Sequence, residues 1–111
     1  MKGFLWLMGG IAAVAVVAQG MESPQERACR SEAQAYEHAT EYVELHLKSP
    51  ATAEWQDRKD ALIFSEDDCT YTITAHVDSE NGFGAMIRST YRVDVQYIMD
   101  DSEWVTLDSS L

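Results

Sequence analysis

The chain has 111 residues, enough for one domain, and a formal net charge of −11 from 19 acidic against 8 basic side chains. So acidic a body repels phosphate backbones, which excludes nucleic acid as an expected partner and favours a basic protein or a cation. The charge is unevenly placed: residues 3–18 carry none, and every acidic residue lies at Glu22 or later.

Lys2 and the free amine form a short positive flank ahead of the apolar run from Gly3 to Ala18, the order of a secretory signal peptide. Ala18 supplies a small residue for a cut before Gln19. Alternatively, Gly3 to Met21 is interrupted only by Gln19 and spans a bilayer core at about 1.5 Å per residue. A cytoplasmic core helix would need a polar face, which the run lacks. Cys29 follows Glu26-Arg27-Ala28, so there is no lipobox. Residues 1–21 are therefore expected to be a signal peptide or membrane anchor. Both readings place residues 22–111 outside the cytoplasm, periplasmic or tethered to the cytoplasmic membrane.

Two cysteines, Cys29 and Cys69, fall in that exported part. An even count in an oxidising compartment predicts one disulfide closing a loop of about 40 residues. Two buried thiols or a metal pair are the alternatives, and the long spacing without Cys-x-x-Cys argues against zinc.

Ser23-Pro24-Gln25-Glu26 combines a capping serine, a proline at the first helical position and the acidic member of a capping box. The stripe Cys29, Ala33, Tyr36, Ala39, Val43, Leu47 advances by three or four residues and predicts one amphipathic helix. It should end near Lys48, because Pro50 disfavours a helical Ser49. Ser49-Pro50 repeats the cap-then-proline device, predicting a short turn that drops Trp55 onto the core edge. Ala61 to Ser65 reads as a short strand and Glu66-Asp67-Asp68 as a turn.

Two alternating runs follow. Tyr71, Ile73, Ala75 and Val77 form one apolar set, and Ile87, Tyr91, Val93, Val95 and Tyr97 the other. Period two predicts strands with one buried face, Tyr71 to Asp78 and Met86 to Ile98. Matching inward residues places Val77 opposite Ile87, Ala75 opposite Ser89, Ile73 opposite Tyr91 and Tyr71 opposite Val93, with Ser79 to Ala85 as the hairpin loop. Asp100-Asp101-Ser102 turns the chain into a last strand, Glu103 to Leu107, with a frayed tail after Asp108. The expected fold is α+β: one N-terminal amphipathic helix on a four-stranded antiparallel sheet. So small a sheet cannot bury its apolar face alone.

The segments Leu47-Lys48-Ser49-Pro50-Ala51-Thr52-Ala53-Glu54-Trp55 and Val77-Asp78-Ser79-Glu80-Asn81-Gly82-Phe83-Gly84-Ala85-Met86-Ile87-Arg88 stand out. They resemble a group of small uncharacterised bacterial and phage exported domains. Those carry a Lys-Ser-Pro-x-Thr-Ala-x-aromatic segment and a Val-Asp-x-x-Asn-x-Phe-Gly-Ala-x-x-Arg hairpin. The resemblance covers roughly residues 40 to 97 and implies a domain identity without an activity. This chain has Trp55 where the group usually has Phe, and it lacks zinc-ribbon cysteines.

The hairpin motif has two readings. In one it is turn chemistry: Gly82 and Gly84 permit positive φ, Asn81 and Asp78 bond loop amides, Asp78 and Arg88 pair diagonally, and Phe83 folds back over the core edge. In the other it is a recognition loop, with Phe83 as an exposed anchor, Arg88 as a polar rim, and Asp78 and Asn81 completing the binding residues. His38 and His46 are eight apart on the helix and do not share a face well, and His76 projects outward beside Arg88, so no metal site is expected. Asp67-Asp68 and Asp100-Asp101 lack the regular calcium-loop pattern. No cofactor is expected, and no nucleophile stands in a strand-turn-helix elbow.

The expected function is a non-enzymatic binding module for a protein partner, using the sheet face and the 79–85 loop, with the membrane engaged through residues 3–21 if these are retained. The alternative is an acidic periplasmic inhibitor or immunity-type protein directed at a basic hydrolase. A small hydrolase using His76 is the remaining enzymatic reading.

Overall fold

The computed structural model describes residues 22–111; the expected signal or anchor segment, residues 1–21, lies outside the described residues. Ser23 caps the first helix, α1 (Pro24–Cys29), through the full capping box: its side chain accepts from the Glu26 amide while the Glu26 carboxylate accepts from the Ser23 amide. The helix does not continue as the apolar stripe predicts. It breaks at Arg30, and Ser31 caps a second helix, α2 (Glu32–Glu44), by accepting from the Gln34 amide. The break rotates the buried face. Ala28 faces inward in α1, and Ala35, Ala39 and Val43 do so in α2, whereas the stripe residue Ala33 is exposed.

A single 3₁₀ turn over Pro50–Thr52 then leads into β1 (Glu54–Trp55), and a second over Arg58–Asp60 leads into β2 (Leu62–Glu66). The long strands β3 (Thr70–Glu80) and β4 (Met86–Ile98) precede β5 (Glu103–Ser110). All pairings are antiparallel. β4 lies between β3 and β5, while β1 and β2 share the other edge of β3. The sheet thus has five strands rather than four. The added one is the short β1, whose Trp55 pairs with Val77 and meets the Tyr91 ring edge-on at 6.1 Å. The tail is not frayed either: β5 runs on to Ser110, which pairs with Arg92.

Alternation decides which side of the sheet is dry. Tyr71, Ile73, Ala75 and Val77 of β3 and Tyr91, Val93, Val95 and Tyr97 of β4 are buried on the face that α2 covers, and Ser79 is buried further along the same face. Ala35 and Ala39 have almost no side chain to hold α2 off, so the helix lies close on this face. Burying each large apolar side chain stabilises by about 1.5–3 kcal/mol. Polar ties then fix the helix against both edges. The Tyr36 hydroxyl donates to the Gln56 carbonyl, Trp104 Nε1 donates to Gln34 Oε1 at 3.2 Å, and Tyr42 Oη meets Ser109 Oγ at 3.2 Å.

The strand register differs from the expected one by two residues. Val77 lies opposite Ser89, Ala75 opposite Tyr91, Ile73 opposite Val93 and Tyr71 opposite Val95. Such a slip keeps every side chain on its own face, because side chains alternate with period two. It shortens the loop to five residues, 81–85, and carries Ser79 and Ile87 into the paired strands. Cys29 and Cys69 form a disulfide with their Cα atoms 4.8 Å apart, fastening the end of α1 to the β2–β3 turn.

Candidate functional site

The helix is much shorter than the strands it covers. Thirteen residues of α2 rise about 20 Å, whereas the thirteen residues of β4 extend about 43 Å. The inner face of the β3–β4 hairpin therefore runs on past the helix end, carrying Ser79, Ile87 and Ser89 into a region that α2 does not reach. A cleft of about 490 Å³ opens there. Leu47 and Lys48 line one side, Ser79, Ile87 and Ser89 the other, and Phe83 stands at the rim. A smaller hollow of about 150 Å³ continues it toward Val77, Tyr91 and Leu111, sharing Leu47 and Ser89.

The loop at the rim is a built turn. The Asn81 amide donates to the Ala85 carbonyl at 2.9 Å, and the Gly84 amide donates to the Asn81 carbonyl at 3.1 Å. Asn81 Oδ1 accepts from both the Phe83 amide at 2.8 Å and the Ala85 amide at 3.1 Å. Gly84 takes φ of +82°, where a Cβ would clash with its own backbone; Gly82 does not need its freedom. Asn81 is thus the organiser of the loop, as the turn reading expects. Phe83 departs from that reading: it is 98% exposed and does not fold over the core edge.

Asp78 and Arg88 are directly opposed rather than diagonal, a consequence of the shifted register. Arg88 Nε and Nη2 donate to the two Asp78 oxygens at 2.8 and 3.1 Å, so Asp78 is spent on Arg88 and bonds no loop amide. The Arg88 guanidinium holds the Asp78 carboxyl below the usual aspartate range. This fork ties the two strands across the outer face just below the loop. Of the four expected binding residues, Phe83 alone lines the cleft as a free apolar group. Asn81 and the Asp78–Arg88 pair hold it in place.

Leu47 and Ile87 are the residues that sequence reasoning assigned to the core and that the structure places in the cleft. Ile87 is 48% exposed despite its inward phase. No sequence signal marks them, because the Pro50 stop bounds the helix but not the length of sheet that the helix covers.

The histidines do not converge. His38 Nε2 meets Thr106 Oγ1 at 3.2 Å, and His46 Nδ1 meets the Tyr42 carbonyl at 3.0 Å. His76 sits on the outer face directly opposite Thr90, with Arg88 diagonal to it. Among the described residues no three His, Cys, Asp or Glu side chains are grouped to hold a metal ion, and no helix is long and apolar enough to cross a membrane. Comparison of the chain with protein-family models, with curated proteins and with solved structures gives no match.

Proposed function

We propose that residues 22–111 are a non-enzymatic binding module, exported or tethered through residues 1–21, that takes a segment of a protein partner at the hairpin end. One observation carries this reading: Phe83 stands almost wholly in water on a loop braced by its own hydrogen bonds, at the mouth of an apolar cleft. A folded chain recovers about 1.5–3 kcal/mol by burying such a ring, so holding it outward on a rigid turn suits an anchor for a partner. Rigidity matters because little ordering entropy is then lost on contact.

The direction of presentation agrees. Gln25 Nε2 reaches Ser102 Oγ in the β4–β5 turn, and Cys29 is bonded to Cys69 in the β2–β3 turn. The described chain therefore begins at the end of the sheet opposite the 81–85 loop. The eleven residues of β3 separate the two ends by about 36 Å. A domain held through its N-terminus would present Phe83 away from the attachment, toward a partner in the surrounding space. The resemblance to small exported bacterial and phage domains supports the address of the domain and says nothing of its partner.

A photo-crosslinking residue placed at Phe83 of the exported full chain tests this, with Asp101 at the opposite end as the control position. A discrete adduct is expected at Phe83 and none at Asp101. It should persist at high salt, since apolar contacts are not screened, and disappear when Ile87 is changed to Asp. Equal adducts at both positions, or none at Phe83, would overturn the proposal. An adduct lost steeply with salt would instead favour an acidic inhibitor of a basic protein.

A further inference from the structure

The hairpin-end cleft holds polar groups that a purely apolar anchor site does not need. Ser79 lines it and is only 4% exposed. Its hydroxyl makes no hydrogen bond to another described residue, yet it is not among the unpartnered side-chain atoms fully shut from water, which are His76 Nδ1 and Tyr91 Oη. Ser79 Oγ therefore opens on the cleft. Ser89 lines the same cleft from β4, diagonal to Ser79, because Ser79 pairs with Ile87 and Ser89 with Val77. Diagonal neighbours of an antiparallel pair stand about 7–8 Å apart. Alternate residues of an extended chain repeat at a similar spacing, about 6.6–6.8 Å.

The surroundings define the rest of the occupant. The smaller hollow joined to the cleft is walled by Val43, Leu47, Val77 and Tyr91, and its volume of about 150 Å³ suits one benzene-sized group. Lys48 and Glu80 line the cleft with opposite charges, so it offers no net field to an ionic group. His46 Nδ1 is already engaged by the Tyr42 carbonyl at 3.0 Å. We infer that the cleft takes an uncharged, extended peptide segment, with one bulky apolar side chain in the hollow and its main chain on Ser79 and Ser89. A hydroxyl both donates and accepts, as a peptide unit does, whereas a carboxylate or an ammonium group uses half of that capacity. This rests on the reading of the hairpin end as a binding site and adds the chemistry of what it binds. Phe83 covers the segment from the rim.

A library of random seven-residue peptides with blocked termini, selected on the full chain in mild detergent against Ile87→Asp as counter-selection, supplies the probe. Enriched peptides should carry an aliphatic or aromatic residue with no charge beside it. Against the strongest of them, Ser79→Ala should raise Kd roughly fivefold, the effect of one hydrogen bond. Exchanging the peptide's amides for esters one at a time removes each N–H and weakens its carbonyl as an acceptor. One exchange should cost about as much as Ser79→Ala, and the two losses should not add, since both remove the same bond. Ser79→Ala should melt no lower than wild type, because its hydroxyl has no protein partner to lose. Binding abolished by Ile87→Asp yet indifferent to Ser79→Ala overturns this inference and leaves the hairpin-end site standing. Enrichment of charged peptides, fully additive losses or a lower melting temperature for Ser79→Ala does the same. No enrichment over Ile87→Asp overturns both.

Discussion

Removing the Cys29–Cys69 disulfide is the perturbation whose cost follows most directly from the structure. The bond spans 40 residues and closes α2, β1 and β2 into one loop, with α1 ending at its first cysteine. Loop-closure entropy at that length corresponds to about 4 kcal/mol at 25 °C. The remaining ties of α1 are few: Ala28 is its one buried residue, the Tyr71 hydroxyl donates to the Cys29 carbonyl at 2.8 Å, and Gln25 reaches Ser102 at 3.3 Å. Domains of this size hold about 5–15 kcal/mol in total, so the loss should lower Tm by roughly 15–30 °C. Circular dichroism melts of the purified full chain, with and without reductant and as Cys29→Ser/Cys69→Ser, measure it. Intact mass, with a gain of one hydrogen per cysteine, verifies reduction. Reduced protein and the double variant should melt together. A drop below about 5 °C, or faster hydrogen exchange confined to α1 at an unchanged Tm, would refute the loop-closure argument, because the tether would then hold only a fraying helix.

Three further outcomes are expected. The Tyr91 hydroxyl is buried beside Tyr36 with no hydrogen-bond partner among the described residues, so Tyr91→Phe should be close to neutral, whereas Tyr36→Phe loses the bond to Gln56 and should cost about 1 kcal/mol in urea denaturation. Burial pushes the Tyr91 phenol well above its ordinary value of 10.0, helped by Tyr36. Its contribution is therefore full below that value and lost as pH rises toward the folded one, and Tyr91→Phe should flatten the alkaline limb of stability; an unchanged limb would refute this. In the loop, Gly84→Ala should destabilise by about 1–2 kcal/mol because its φ is +82°, while Gly82→Ala, with open space around it, should not; equal effects in thermal melts would contradict the turn geometry. At acid pH, the depressed Asp78 contributes stability that is complete above the ordinary aspartate range and lost as pH falls through its lowered folded value. Arg88→Gln should return the Asp78 NMR titration toward 3.8 and shrink the acid limb, and an unmoved titration would deny the fork.

The sequence by itself determined the elements governed by local chemistry. Ser23, Pro24 and Glu26 fix the start of α1 because their groups satisfy amides within one turn. Period two fixes β3 and β4, since every second residue must leave the water. The break between the helices was also legible, in Ser31 followed by Gln34, the same capping spacing as Ser23 and Glu26. The continuous apolar stripe from Cys29 to Leu47 masks it. The register was not legible, because a slip of two residues leaves every inward side chain inward and the hydrophobic pattern cannot distinguish the two pairings. The five-residue turn built on Asn81 and Gly84 decided it, and with it the direct opposition of Asp78 and Arg88. Only the tertiary structure showed that Phe83 stays in water and that Ile87 lies beyond the helix. Exposure depends on which element covers a face and how far it reaches, and here a helix rising about 1.5 Å per residue stops short of strands extending about 3.3 Å per residue.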